Sequence, residues 1–343
     1  MKLWQPSQEQ IESTEMWKFM QALAKHIGQE IDSYEVLHQY SVDNLEDFWK
    51  FYSEYIGLDL NYEEVLTGEM PFVEWFGGAE FNYARELLFP KDLKNDDDLA
   101  IISVSEMGFE AKLSYAQLRQ EVASCAAALK REGLQKGDRV AAIATNTAET
   151  TVLFLACSSL GIIFSSCSPD FGFDAANARF SQIEPKLIFA ASIYYYGGKK
   201  FSVLDTINKL SESIKPKKTI LLPYFDEDID RAGYEFWGDW LEPNASLKFA
   251  SLEFNHPLYI LFSSGTTGLP KAIVHRAGGA FIKHHLEQKI HSDIKAGDRV
   301  FYFSTCGWMM WNWLVSALAQ AATIIQFDGS PAYPDLDNLW QLA

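Results

Sequence analysis

From Leu99 onward, short apolar runs alternate with stretches of helical pattern, and this rhythm limits the fold more than any other feature of the chain. Residues 100–104, 139–143, 162–164, 187–190 and 219–222 read as buried strands. Ser114 with Gln117 three residues later predicts a capping box, opening a helix that Gly133 closes. Further helices are expected at 149–159 and at 174–183, the second stopped by Pro185. Strands alternating with helices of this length predict βαβ units on mostly parallel sheets, an α/β fold. Residues 224–254, acidic and rich in Trp and Phe, read as surface loops.

The first 93 residues differ: they read as helical and aromatic, as in Leu45-Glu46-Asp47-Phe48-Trp49-Lys50-Phe51-Tyr52. The acidic stretch Lys94-Asn95-Asp96-Asp97-Asp98 reads as a solvated connector. Two parts are therefore expected, a helical extension over 1–95 and an α/β part over 96–343. With a formal net charge of −17 and no dense basic run, the surface repels a nucleic-acid backbone. An anionic ligand would need a local pocket of amides and cations. The four cysteines lie far apart with no C-x-x-C pair, against a disulfide framework or structural zinc. No secretory leader and no run of about 18 apolar residues is visible, so a cytoplasmic home with no membrane partner is expected.

The richest segment is Leu258-Tyr259-Ile260-Leu261-Phe262-Ser263-Ser264-Gly265-Thr266-Thr267-Gly268-Leu269-Pro270-Lys271-Ala272-Ile273-Val274-His275. An apolar strand delivers the chain into small, hydroxylated residues, and a second apolar run leaves them. Gly265 and Gly268 let the backbone approach an anion, so that successive amides form a concavity. Ser263, Ser264, Thr266 and Thr267 add hydroxyl donors, Pro270 stiffens the exit and Lys271 adds a cation. The spacing is not that of a Walker A loop, which needs Gly-Lys-Ser/Thr after four residues. The bland alternative is a solvated turn between two strands.

These residues resemble the phosphate-binding loop of the adenylate-forming superfamily, which includes acyl-CoA synthetases. The resemblance implies a two-step reaction. A carboxylate attacks the α-phosphate of ATP to give an acyl-adenylate and diphosphate, and the CoA thiol then displaces AMP. It also implies that Ser263, Ser264, Gly265, Thr266, Thr267, Gly268 and Lys271 hold the β- and γ-phosphates, with Thr266 assisting Mg²⁺. ATP, Mg²⁺ and CoA are the implied co-substrates.

A second stretch narrows the resemblance. Thr305-Cys306-Gly307-Trp308-Met309-Met310-Trp311-Asn312-Trp313, the Lys271-Ala272-Ile273-Val274-His275 run and the opening Leu3-Trp4-Gln5-Pro6-Ser7 are similar to the acetoacetyl-CoA synthetase branch. That likeness implies an acyl pocket at Thr305, Gly307 and Trp308, with acetoacetate as the acid; acetate or propionate is the alternative. Aromatics and Met at helical spacing are more often core than pocket, so Trp308 alone is expected at the acyl wall. Tyr196-Gly197-Gly198-Lys199 matches a position that contacts CoA phosphates in acetyl-CoA synthetases, leaving Lys199, with Lys200 as a second candidate, or else a plain surface turn. His275, His284, His285 and His291 lack metal-binding spacing and read as structural. No Ser/His/Asp or Cys/His arrangement suggests a covalent intermediate. Relatives of this kind also carry a Tyr-Gly-x-Thr-Glu segment, a ribose-binding Asp and a lid Lys, none of which occurs at the expected place here. The chain therefore reads either as the N-terminal portion of a ligase or as a non-catalytic remnant that binds nucleotide.

Overall fold

In the computed structural model, which describes residues 3–225, 227–263 and 268–342, two sheets and a helical N-terminal region share packed cores. The larger sheet has seven strands in the order Glu235–Phe236, Lys218–Leu222, Leu187–Ala191, Arg139–Ile143, Ile163–Cys167, Pro257–Ser263 and Lys271–Arg276. The first six are mutually parallel, and only Lys271–Arg276 returns antiparallel, along Pro257–Ser263. Strand periodicity of two divides this sheet's residues between two cores. Val140, Ala142, Phe164, Leu187 and Phe189 face helices Tyr115–Arg131 and Ala148–Leu160. Ala141, Ile143, Ile188 and Ala190 face helices Gly172–Phe180 and Leu204–Ile214. Burial on both faces explains why these strands read as continuous apolar runs rather than alternating ones.

The smaller sheet runs Arg299–Phe301, Thr323–Asp328, Leu99–Ser105, Glu110–Ser114, its first three strands parallel and the last antiparallel. The Ser114–Gln117 capping box is present, and helix Tyr115–Arg131 follows it. The apolar helix spans Ala148–Leu160 and ends at Gly161 in the left-handed conformation.

Three expectations need correction. The strand expected at 162–164 runs Ile163–Cys167, because pairing with Arg139–Ile143 extends it past the apolar residues. The helix expected at 174–183 spans Gly172–Phe180. Residues 224–254 are not merely surface loops: Glu235–Phe236 joins the sheet, and Tyr224, Trp237, Trp240 and Phe254 are buried. Trp237 and Trp240 lay their edges on Phe189, ring centroids 6.0 and 5.1 Å away, so large flat side chains fill the sheet's far flank.

The N-terminal region is helical at Gln8–Ser13, Glu15–Ile27, Tyr34–Asp43 and Leu45–Tyr55, but also holds an antiparallel hairpin, Glu64–Thr67 with Glu74–Gly77. Phe19 packs edge-on against Phe48 and Tyr52, and the Tyr52 hydroxyl meets His285 Nδ1 at 2.8 Å on helix Ala277–Leu286. Burial drives His284 and His285 down to about 3, so both are neutral packing residues, as their spacing suggested.

Candidate functional site at the carboxyl edge of the large sheet

Starting from Arg139–Ile143, the chain places its next strand, Ile163–Cys167, on one side and then Leu187–Ala191 on the other. Open α/β sheets bind ligands outside the carboxyl ends of strands where the order reverses in this way. Ser263 ends its strand two places away and pairs directly with Lys271, which opens the antiparallel return strand on that same edge. Ser264, Gly265, Thr266 and Thr267 lie outside the described residues. Gly268 has φ +118°, open space beside its Cα, and Lys271 is exposed.

The segment carrying Thr305, Gly307 and Trp308 crosses the same edge. Ser166 Oγ donates to the Cys306 carbonyl at 2.7 Å, and Cys306 Sγ lies 3.0 Å from the Ala144 carbonyl. A Cβ at Gly307 would sit 3.2 Å from the Cys167 Cα, so a larger residue at this close crossing would have to push the neighbouring backbone by a few tenths of an ångström. Burial pushes the Cys306 thiol up to about 12, which makes it a packing group and not a nucleophile. Thr305 presents a buried hydroxyl oxygen with no hydrogen-bond partner among the described residues. Trp308 is 53% exposed and, with Gly307, Ser166, Phe171, Arg179 and Phe262, lines a narrow cleft of about 20 Å³, the size of a single water.

The other aromatics of this stretch divide as their spacing suggested. Trp311 is fully buried against Phe154 and Phe164, and its indole donates to Asn146 Oδ1 at 2.9 Å. The Trp313 indole donates to Glu287. Asn146 uses every position on its side chain: Nδ2 donates to the Ser304 and Phe327 carbonyls, and Oδ1 also accepts from Gln326. This amide ties the Ser304 segment to the smaller sheet. His275 stacks on Tyr259 at 4.8 Å, and burial followed by the nearby Lys283 lowers its affinity for a proton, which supports a structural role.

The Tyr196-Gly197-Gly198-Lys199 turn joins strands Ile193–Tyr196 and Lys199–Ser202. Its amides are occupied from inside the protein. Glu106 accepts from Gly197 N (3.0 Å), Gly198 N (2.7 Å) and Ser330 N (2.6 Å). Next to it Asp328 is buried, accepting from Asn146 N at 2.8 Å and the Tyr224 hydroxyl at 3.0 Å. Burial is the main reason its carboxyl is pushed up to about 6, with Glu106 adding to the shift. Lys200 pairs with Glu227 at 2.7 Å, whereas Lys199 is exposed and has no ion pair among the described residues. Sequence reasoning missed Glu106, Asn146, Arg179 and Tyr224, since each is a single polar residue whose partners are distant in the chain. Asp328 stood within the Asp328-Gly329-Ser330-Pro331 run, but no role followed from that.

Among the described residues no group of three or more His, Cys, Asp or Glu is placed to hold a metal ion, and no helix is long and apolar enough to cross a membrane.

Comparison with known proteins identifies the family. The family model described as "AMP-binding enzyme" matches residues 92–343, and the "Acetyl-coenzyme A synthetase N-terminus" model matches residues 34–86. The chain is 38% identical over 359 residues to acetoacetyl-CoA synthetase of Xenopus tropicalis, covering 99% of this chain and 52% of that protein. It is 36% identical over 340 residues to malonamoyl-CoA synthetase vrtB of Penicillium aethiopicum, covering 94% of this chain and 47% of that protein. The solved structure of acetoacetyl-CoA synthetase from Streptomyces lividans superposes with a TM-score of 0.94 at 37% identity, covering all of this chain and 54% of that one. The chain thus spans about half the length of the relatives it matches. With the α/β architecture, the strand-order reversal and the match over 92–343 pointing the same way, the chain belongs to the AMP-binding enzyme family.

Proposed function

We propose that this chain carries the nucleotide-phosphate and acyl-binding portion of an ATP-dependent acyl-CoA ligase acting on acetoacetate by way of an acyl-adenylate. In this reading residues 1–95 form the extension and 96–343 part of the adenylating domain. The observation that carries the proposal is the juxtaposition on one sheet edge of the Ser263–Lys271 reversal and the Gly307–Trp308 cleft. Ser263, Ser264, Gly265, Thr266, Thr267, Gly268 and Lys271 supply amides, hydroxyls and one cation to the β- and γ-phosphates. Preorganised donors of this kind stabilise the charge that gathers as carboxylate and triphosphate meet. Thr305, Gly307 and Trp308 bound the acid, the indole limiting its length. The relatives that make acetoacetyl-CoA and malonamoyl-CoA are named for acids that share a carbonyl β to the carboxylate, which favours that class over acetate or propionate.

Magnesium arrives with the nucleotide. The described residues offer it no carboxylate cluster, so protein assistance rests on Thr266 and no step is assigned to the ion. For CoA, the turn at Gly197–Gly198 has spent its amides on Glu106, so recognition of a CoA phosphate there falls to the Lys199 charge. Four buried free thiols suit a reducing, cytoplasmic setting.

The test is titration calorimetry of the 343-residue chain with Mg·ATP. Combining Lys271→Ala with Gly265→Val is expected to weaken binding at least about tenfold, the order expected for losing one charge-assisted contact. Thermal unfolding should stay in place. Unchanged affinity in the double variant would reject the assignment of the loop.

A further inference from the structure

Away from the sheet edge, a second hollow lies where the N-terminal region meets helix Ala277–Leu286, and the ligase reading makes no use of it. Trp49, Trp75 and Phe76 line it from the N-terminal side, and Phe254, Gly279, Ile282 and Lys283 from the other, around about 160 Å³. An apolar cavity of about 150 Å³ is large enough to hold benzene. Trp49 and Trp75 meet edge to face with centroids 6.3 Å apart, and Phe76 and Phe254 are tilted at 4.9 Å.

Gly278 and Gly279 stand together in the first turn of that helix, for different reasons. A Cβ on Gly278 would run into the Phe254 ring, whereas one on Gly279 would meet nothing within 4 Å. Alanine at 279 would favour the helix without a clash, so this glycine serves the hollow and not the packing. Phe76 is buried at φ +47°, a conformation that a bulky residue rarely adopts and that persists only where its surroundings hold it. Asn255 accepts from Trp75 N at 3.3 Å and donates to the Trp75 carbonyl at 2.7 Å, and Arg276 donates to the Val73 carbonyl at 2.6 Å. The hairpin that carries Trp75 and Phe76 is thereby pinned to the α/β part. Lys283 is the only charged residue of the lining, and none of the chain's 46 Asp and Glu residues takes part in it. Its ammonium pairs with Glu287 at 2.9 Å, and one carboxylate leaves an ammonium with further donors.

We propose that this hollow binds a small apolar carboxylate of about the size of benzoate, its tail among Trp49, Trp75, Phe76 and Phe254 and its charge at Lys283. The site shares no residue with the Gly307–Trp308 cleft. Both parts of the chain contribute to its wall, so an occupant stabilises the folded protein.

Titration calorimetry of the full chain with benzoate tests this, with benzamide as the neutral molecule of the same shape. The parent should bind one benzoate and melt at a higher temperature in its presence. Benzamide should bind about two- to fivefold more weakly, the scale of an exposed ion pair, and Lys283→Met should erase that difference. Gly279→Leu fills the hollow and should weaken benzoate at least about tenfold. Gly279→Ala adds one methyl group where nothing stands, so it should keep the fold and weaken benzoate by a smaller factor. A carboxylate held in the ligase cleft instead would be indifferent to residue 279. Benzoate affinity unchanged in the native-like Ala variant and in the Leu variant overturns the proposal, as does a parent chain that binds no benzoate. Equal affinity of the parent for benzoate and benzamide overturns the role of Lys283.

Discussion

Two glycine-bearing turns in this protein differ in what their described residues meet. At Gly197–Gly198 the amides are filled by the Glu106 carboxylate, and the ring of Tyr333 stands where a Cβ on Gly198 would be, 2.5 Å away. At the other turn, Gly268 faces open space and Lys271 is exposed. The difference shows that a glycine pair next to a lysine is not in itself an anion site. What counts is whether the protein has already supplied the anion.

The comparison breaks most visibly at Glu106. Glu106→Gln keeps the shape but turns an NH₂ toward amides that need an acceptor. Losing charge-assisted bonds to three backbone donors, one of them buried, should cost roughly 3 kcal/mol. A denaturant titration should show this loss with Mg·ATP affinity unchanged; parental stability, or a matching fall in affinity, would mean the two turns are not independent.

Asp328 sharpens the same contrast through pH. Its carboxyl, about 6 when folded against an ordinary value of about 3.9, binds a proton more tightly in the native state. The stability this proton provides is fully present below about pH 4 and is lost as pH rises through about 6, amounting to about 2–3 kcal/mol. Asp328→Asn should lack that slope. Melting temperatures of the two proteins recorded from pH 4 to 7 should therefore diverge, and parallel curves would show that the buried carboxylate is not the group that titrates.

The smallest effects separate the turns themselves. Gly198→Ala meets the Tyr333 ring at φ +75° and should cost about 2 kcal/mol. Gly268→Ala adds a Cβ to free space at φ +118° and should cost about 1 kcal/mol through the backbone alone. Equal losses in thermal unfolding would erase the distinction between a filled turn and an open one.

Much of the scaffold could be read from the residues. The Ser114–Gln117 box marked a helix start because capping is local chemistry, and strands such as Leu187–Ala191 announced themselves by burial on both faces. That aromatics at helical spacing are more often core fits the buried Trp311, whereas Trp308 stands out by its place directly after Gly307. Residues 224–254 misled because Trp237 and Trp240 are separated by polar residues, and only the neighbouring strand reveals what they cover. Glu106 and Arg179 were unreadable for a related reason. Glu106 is defined by amides more than 90 residues away, and Arg179 by a cleft whose walls come from four separate segments.

Asn146 carries a mechanical consequence. Gln326 and the Phe327 carbonyl, both on the smaller sheet, hang from the same side chain as the Ser304 carbonyl and the Trp311 indole. A displacement of strand Thr323–Asp328 therefore reaches the wall of the cleft through this amide as well as through its pairing with Arg299–Phe301, like a lever held at two points. Whatever comes to rest on the smaller sheet can press on the Gly307–Trp308 wall without touching it.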